Sequence, residues 1–263
     1  MTASISVVVP VYNEEESLRP LWEALVPALD ALNRQWEVVF CDDGSEDKSV
    51  AILDELAASD ARIKVVILRK NFGQSAAMAA GFDHATGEIV IPMDADLQND
   101  PADIVRLIDK LESEDLDLVK GWRKDRQDTY LTKTLPSRIA NRIIGRVTGV
   151  ELHDYGCTLS AWRRELVADI HIYGEMHRFL PALAHWAGGR VDELEVTHHP
   201  RRWGVSKYNL SKTFRVILDI LTVRFLVAYS TKPLYFFGRW GAMLLALGTA
   251  SATWTVVKKL IWG

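Results

Sequence analysis

Several sequence patterns that mark common function classes are missing from this chain. Its 2 cysteines, Cys41 and Cys157, have no CxxC or Cys/His spacing, so we expect reduced thiols rather than a disulfide or a zinc site. No GxGxxG or P-loop pattern occurs, which argues against a dinucleotide dehydrogenase or a P-loop enzyme. Ser45, Ser75 and Ser206 lack a G-x-S-x-G context, which argues against a hydrolase nucleophile.

A surplus of basic residues and a secretory signal are also missing. The 31 lysines and arginines are matched by 35 acids, for a formal net charge of −4, which argues against a nucleic-acid-binding protein. The N-terminal MTASISVVVP has no basic segment before its apolar run, so we interpret it as a first strand and expect the main domain to face the cytoplasm. Hydrophobic residues, at 48%, are sufficient for a large core.

Short valine-rich runs alternate with amphipathic stretches through the first half of the chain. This alternation predicts an α/β fold with a parallel sheet covered on both faces, and ligands bind such sheets beyond the carboxyl ends of the strands. Pro27 should kink or end the first helix. The predicted strands are Ile5–Pro10, Trp36–Cys41, Ile63–Leu68, Ile89–Met93 and Leu116–Val119, and the predicted helices are Leu18–Leu32, Ser49–Ala58, Ser75–Ala85 and Ile104–Leu111.

Two aspartates, Asp94 and Asp96, directly follow the fourth predicted strand. Carboxylates this close repel each other unless a cation lies between them, which suits Mg²⁺ or Mn²⁺. The alternative is that Asp96 or Asp100 only caps the helix that begins near Pro101. A DxD pattern alone is weak support for a metal site, because it also occurs often by chance.

Polar residues close the first two strands as well, in Pro10–Glu14 and Asp42–Ser45. Simple turn chemistry would also favour these residue types. Three polar strand ends on one sheet edge, without a glycine-rich phosphate loop, make a nucleotide-binding crevice the better explanation.

In combination, these motifs resemble the family-two glycosyltransferases with the GT-A fold, and within them the polyprenyl-phosphate glycosyltransferases. The resemblance covers nearly the whole chain and implies a Rossmann-like catalytic domain over residues 1–200. It rests on the segments VVVPVYNEEESL, DDGSEDKS, RKNFGQSAAMAAGF, MDADLQNDP, GWR, DYGCTLSAWRRE, YGEMHRFLPALA and HHPRRWGVSKY, in this order.

The resemblance also implies roles for individual residues. The nucleotide would be bound by Pro10, Tyr12, Asn13, Glu14, Asp42, Asp43 and Asp94. The metal, Mg²⁺ or Mn²⁺, would be held by Asp94, Asp96 and Gln98. The phosphate of the lipid acceptor would meet Arg123 and Arg138, with Arg201, Arg202 and Lys207 nearby. Asp96, Arg123 and Arg138 would be the catalytic residues.

The C-terminal part of the sequence predicts contact with a membrane. Residues 201–232 combine a basic loop with an amphipathic helix pattern, which suits a surface-lying segment. Residues 233–260 read as a transmembrane helix, because Trp240–Val257 contains no charge and aromatic residues lie near both ends. The alternative is a buried core helix. Related enzymes often carry two membrane helices, whereas this sequence shows one.

The predicted reaction is an inverting, metal-dependent transfer of a hexose from a nucleotide sugar to polyprenyl phosphate. UDP-glucose is the expected donor and GDP-mannose the next, and a homo-oligomer, in tetrameric form, is the expected assembly. One rival is a polysaccharide-forming transferase, but HHP rather than a QxxRW-type glutamine precedes Arg201–Trp203. The other rival is a non-catalytic membrane scaffold, against which the complete DxD-plus-glutamine set argues.

Overall fold

The computed structural model describes residues 4–124, 141–142, 144–146, 148–170, 176–200, 222, 225 and 232–262. The chain divides into two compact units, with the boundary between Lys212 and Thr213. The predicted boundaries at residues 200 and 232 stay predictions.

Among the described residues, the first unit is built on a sheet of seven strands in the order β3-β2-β1-β4-β6-β5-β7. Neighbouring strands are parallel except at β6, which runs antiparallel to both β4 and β5. The strands are β1 (Ile5–Val11), β2 (Trp36–Asp42), β3 (Ile63–Ile67), β4 (Ile89–Pro92), β5 (Leu118–Trp122), β6 (Ser160–Arg163) and β7 (Val191–Glu195).

Helices cover both faces of this sheet. On one face, α1 (Leu18–Asp30), α2 (Ser49–Ser59) and α4 (Asp103–Ser113) pack over a cluster of buried side chains that includes Val7 and Val9 of β1. On the other face, α3 (Gln74–His84), α5 (Arg164–Ala168) and α6 (Leu180–Trp186) pack over a cluster that includes Val8. Side chains of a strand alternate between faces, so a continuous valine run serves both layers.

The predicted α/β fold with a mostly parallel sheet is therefore confirmed, with local differences. The fifth strand begins at Leu118 rather than Leu116, and β6 and β7 were not predicted. Pro27 was expected to kink or end the first helix. The expectation that it would end the helix was wrong, because α1 continues to Asp30. Proline has no backbone N–H, so Pro27 leaves the carbonyl of Glu23 without its helical hydrogen bond. Both residues lie on the exposed side of α1, where water can bind that carbonyl.

The described part of the second unit contains one long helix, α7 (Pro233–Trp262), of 30 residues. An 18-residue window of this helix has a mean hydropathy of 1.3, and none of the helix residues is buried within the described structure. At about 1.5 Å per residue it is about 45 Å long, which exceeds the ~30 Å hydrocarbon core of a bilayer. This helix is a candidate membrane span, and a buried core helix does not account for its exposed leucines and tryptophans.

Candidate active site

The sheet topology brings those predicted site residues that the structure describes to one edge of the first unit. Strands β2, β1 and β4 are adjacent and parallel, so the loops that follow them leave the sheet at the same edge. Because β6 is antiparallel to β4 and β5, the segment before β6 and the segment after β5 also reach this edge. Loops from five strands therefore border one crevice.

The loops after β1 and β2 are tied together through Asn13. Its backbone N–H donates to Ser45 Oγ at 2.9 Å, and its Oδ1 accepts a hydrogen bond from the N–H of Glu46 at 2.8 Å. Asn13 has a φ of 56°, in the left-handed region, where asparagine is better tolerated than most residues. Pro10 and Tyr12, the neighbouring predicted nucleotide contacts, are partly exposed beside it. The N–H of Glu14 donates to Ser49 Oγ at 2.9 Å, which fixes the same loop from its other end.

The two aspartates that end β2 have different surroundings. Asp42 Oδ1 accepts hydrogen bonds from the N–H groups of Gly44 and Ser45, whereas Asp42 Oδ2 is buried and has no hydrogen-bond partner within the described part of the chain. Asp43 accepts the N–H of Phe72 at 2.7 Å on one oxygen and the N–H of Gly73 at 2.8 Å on the other. Asp42 therefore retains an unused acceptor, and Asp43 holds the loop that leads into α3.

Asp94 is fixed by side chains from two other elements. Gln74 Nε2, at the start of α3, donates to Asp94 Oδ1 at 2.8 Å, and Thr158 Oγ1, just before β6, donates to Asp94 Oδ2 at 2.7 Å. Burial, and then the negative charge of Asp96, raise the pKa of Asp94 to about 6. The Thr158 hydrogen bond and the positive charges of Arg123 and Lys120 act in the opposite direction.

The loop after β4 holds Asp96 in a constrained backbone. Asp96 is 7% exposed, and its Oδ1 accepts the N–H of Gln98 at 3.1 Å. Leu97 between them has a φ of 56°, an unfavourable value for leucine of the kind often found at functional sites. The N–H of His199 donates to Gln98 O at 2.8 Å, so residues from the far end of the domain brace this loop.

The donor chemistry of Asp94, Asp96 and Gln98 fits a hard divalent cation. Within the described ranges, no group of three or more histidine, cysteine, aspartate or glutamate side chains is arranged to hold a metal. A metal here would be bound by two carboxylates and an amide oxygen, which leaves coordination positions for phosphate oxygens. Burial and then the negative charge of Asp96 raise the pKa of Asp94, and such a cation would relieve the repulsion between the two carboxylates.

Arg123 follows β5 and is paired with a residue that the sequence did not single out, Asp154. Arg123 Nε donates to Asp154 Oδ2 at 2.7 Å and Nη2 donates to Oδ1 at 3.1 Å, in a fork arrangement. Burial alone would lower the pKa of Arg123, but the charge and hydrogen bonds of Asp154 outweigh it and raise that pKa above its ordinary value. The guanidinium is therefore permanently charged at the edge of the crevice.

Four predicted acceptor contacts, Arg138, Arg201, Arg202 and Lys207, lie outside the described residues. Conversely, sequence reasoning did not assign Gln74, Thr158, Asp154 or Lys120 to the site. The only available signal for Lys120 was a lysine within an otherwise apolar strand. The resemblance to the family covers the segment that contains Asp154 and Thr158 but implies no role for either residue.

Comparison with known proteins agrees with this geometry. The family described as Glycosyl transferase family 2 matches residues 6–170. The chain belongs to this family. It is therefore a glycosyltransferase, as the motifs indicated.

Two relatives of this family 2 chain match it over almost its full length. It is 44% identical over 265 residues to the dodecaprenyl-phosphate galacturonate synthase of Rhizobium johnstonii, an alignment that covers 98% of this chain and 78% of that protein. It is 39% identical over 260 residues to the undecaprenyl-phosphate 4-deoxy-4-formamido-L-arabinose transferase of Proteus mirabilis, with the same coverage. Both relatives are named as polyprenyl-phosphate glycosyltransferases.

Solved structures support the fold of this family 2 domain. The glucosyl-3-phosphoglycerate synthase of Mycobacterium tuberculosis, solved with Mn²⁺, UDP and glucosyl-3-phosphoglycerate, superposes with a TM-score of 0.66. The match covers 84% of this chain and 80% of that one, at 20% sequence identity. This similarity confirms the predicted GT-A architecture.

Proposed function

We propose that this enzyme transfers a sugar from a nucleoside diphosphate donor to polyprenyl phosphate, and that α7 anchors it in the membrane with the catalytic domain on the cytoplasmic face. The observation that carries the proposal is the pair Asp94 and Asp96, held at one sheet edge beside the charged Arg123. The names of the two relatives support polyprenyl phosphate as the acceptor. These relatives are 44% and 39% identical to this chain over the aligned residues. The tetramer stays a prediction.

The nucleotide base is proposed to bind at the β1–β2 side of the crevice. The buried Oδ2 of Asp42 lacks a hydrogen-bond donor in the described structure. An unpaired buried acceptor is costly, and the ring N–H of a uracil or guanine base would satisfy it. Pro10, Tyr12, Asn13 and Glu14 would complete the pocket around base and ribose.

The charges around the crevice favour a divalent cation together with an anionic donor. Three carboxylates, those of Asp94, Asp96 and Asp154, lie near two cations, Lys120 and Arg123. Mg²⁺ or Mn²⁺ on Asp94, Asp96 and Gln98 would make the local charge positive and would stabilise the leaving nucleoside diphosphate. Burial raises the pKa of Asp94 to about 6, and a bound cation would favour its ionised form.

The acceptor is proposed to react without a protein base. A phosphate monoester has a second pKa near ~6, so its oxygen is already anionic at neutral pH. This oxygen would attack the anomeric carbon and form a new C–O bond. The bond from that carbon to the diphosphate oxygen would break, and the nucleoside diphosphate would leave with the electron pair. One displacement of this kind inverts the anomeric configuration.

Arg123 is proposed to bind the attacking phosphate. The contacts with Asp154 occupy Nε and Nη2, which leaves Nη1 without a partner among the described residues. Arginine forks match phosphate oxygens, and Asp154 fixes the fork in place. Catalysis would then come from holding two anions at reacting distance and from stabilising the leaving group.

The test is transfer of radiolabelled sugar from a panel of UDP- and GDP-linked sugars into undecaprenyl phosphate by the purified full-length chain. The reaction is run with Mn²⁺, with Mg²⁺ and with EDTA, for the wild type and for Asp96→Ala. We expect label in the lipid phase with at least one donor, and loss of transfer with EDTA and in the variant. Metal-dependent nucleotide binding without transfer to lipid would point to a different acceptor. Absence of nucleotide binding would favour the scaffold alternative.

A further inference from the structure

Lys120 is a buried lysine in the middle of β5. It is 3% exposed and lies opposite Ser160 of β6 and Glu193 of β7. Because side chains alternate along a strand, Lys120 shares its sheet face with Leu118, which packs in the same cluster as Ala77 and Met78 of α3. This is the face from which Gln74 reaches Asp94.

The ammonium group of Lys120 has no hydrogen-bond or ion-pair partner among the described residues. The polar residues opposite it are engaged elsewhere: Ser160 Oγ bonds to Thr158 O and Trp162 Nε1, and the carboxylate of Glu193 binds His153. Burial lowers the pKa of Lys120, and the nearby acidic groups oppose that shift only in part. A buried cation of this kind is costly unless an anion binds to it.

The position of Lys120 relates it to the transferred sugar. Its charge interacts with those of Asp154, Arg123 and Asp94. Under the proposed function, the donor diphosphate binds at Asp94 and the acceptor phosphate binds at Arg123. The sugar must lie between the two phosphates, because its anomeric carbon is the atom that passes from one to the other.

We infer that Lys120 binds a carboxylate on the donor sugar, so that the donor is a nucleotide-linked hexuronic acid rather than a neutral hexose. This inference rests on the proposed function. A neutral hexose would leave the buried ammonium group of Lys120 without an anion. The carboxylate of a uronic acid would supply that anion from the sugar, which lies between the two phosphates. The relative that shares 44% identity with this chain is named as a galacturonate synthase, which agrees with an acidic sugar. A hexuronic acid donor carries a carboxylate at the sixth carbon, where the expected UDP-glucose has a neutral hydroxymethyl group.

The test compares UDP-galacturonate with UDP-galactose, two donors that differ only in the carboxylate. Transfer to undecaprenyl phosphate is measured for the full-length wild type, Lys120→Met and Lys120→Arg, with Lys64→Met as a control. Lys64 lies on β3 in an ion pair with Glu37, far along the sheet from the crevice. Thermal unfolding and UDP binding are measured for each variant, so that a folding defect is separated from a loss of specificity.

We expect the wild type to prefer UDP-galacturonate. In Lys120→Met, kcat/KM for UDP-galacturonate should fall by roughly tenfold to a hundredfold, the effect of losing one charged hydrogen bond, while kcat/KM for UDP-galactose changes only a few-fold. Lys120→Arg should retain part of the preference, and Lys64→Met should behave as the wild type.

An equal loss with both donors in Lys120→Met would overturn the inference and assign Lys120 to balancing the charge of Asp94. A wild type that uses UDP-galactose but not UDP-galacturonate would also overturn it and would leave the proposed function intact. Transfer from neither donor nor any other sugar in the panel would overturn both together.

Discussion

Replacing Asp154 with asparagine should destabilise the catalytic domain strongly, because it leaves a buried cation without its counterion. The side chains of Asp154 and Arg123 are 3% and 13% exposed, and Asp154 also accepts the N–H of Gly156 at 3.0 Å. Asparagine keeps the shape and one acceptor oxygen but removes the charge. Breaking a buried ion pair in this way typically costs about 3–5 kcal/mol.

This loss should be visible as a change in melting temperature. For a chain of this size, 1 kcal/mol shifts Tm by about 2–4 °C, so we expect Asp154→Asn to lower Tm by roughly 6–20 °C. Thermal unfolding of the detergent-purified protein, followed by tryptophan fluorescence at fixed lipid and metal concentrations, measures it. KM for polyprenyl phosphate should rise as well, because Arg123 would no longer be held in one orientation.

A matched control is available at the exposed pair Lys124–Glu195, in which both side chains are about half exposed. Glu195→Gln should cost less than about 1 kcal/mol, since surface ion pairs contribute little. The double variant Arg123→Met/Asp154→Asn should be no less stable than Asp154→Asn alone, because the unpaired charge is gone. If Asp154→Asn and Glu195→Gln shift Tm equally, the account of a buried, structurally required pair is wrong.

Other predictions concern the crevice backbone, metal binding and the membrane helix. Gly44→Ala should destabilise the domain in urea unfolding by more than the ~1–2 kcal/mol that a left-handed backbone costs a non-glycine residue, because its Cβ would lie 2.6 Å from the backbone carbon of Lys70. Gly149→Ala is the control, because Gly149 has a similar φ but an added Cβ would meet nothing within 4 Å. This variant should lose only the free energy that the left-handed backbone costs. Burial and the charge of Asp96 raise the pKa of Asp94 to about 6 from an ordinary 3.8, so this group favours the metal-free folded state at low pH, and that contribution is lost as pH rises through about 6. Calorimetry should accordingly show that the affinity for Mn²⁺ falls as the pH drops through 6, because protons compete with the metal for Asp94. Asp94→Asn should weaken Mn²⁺ binding and remove its pH dependence. An Mn²⁺ affinity that does not change from pH 5 to 7 in the wild type would contradict this prediction. Deleting Pro233–Trp262 should move the protein from the membrane fraction to the soluble fraction, and retention on membranes would show that another segment anchors it.

The sequence predicted the first four strands and their helices because each is a local pattern. Valine runs and helical periodicity are properties of neighbouring residues, and the acids at the strand ends follow directly once the strands are placed. Strands β6 and β7 have no comparable pattern: β6 has four residues, and the sequence of β7, VDELE, is largely acidic. They form strands because they pair with β5, which only the tertiary structure shows.

The same distinction separates the site residues that were found from those that were missed. Asp94 and Asp96 could be recognised because only one residue separates them. Thr158 contacts Asp94 across 64 residues of sequence, and Asp154 contacts Arg123 across 31, so neither pairing has a local signature. Lys120 is one residue in an apolar strand, and the lack of a partner for its ammonium group among the described residues becomes visible only when the surrounding side chains are placed.

The loop that Asp43 holds has a consequence for how this enzyme can diverge. Asp43 binds the N–H groups of Phe72 and Gly73, and the next residue, Gln74, binds Asp94. The base end and the metal end of the crevice thus share three consecutive residues. A substitution that adapts the pocket to another base would displace this segment and change metal affinity at the same time. Nucleotide preference and metal dependence should therefore evolve together in this chain, with compensating changes in residues 72–74.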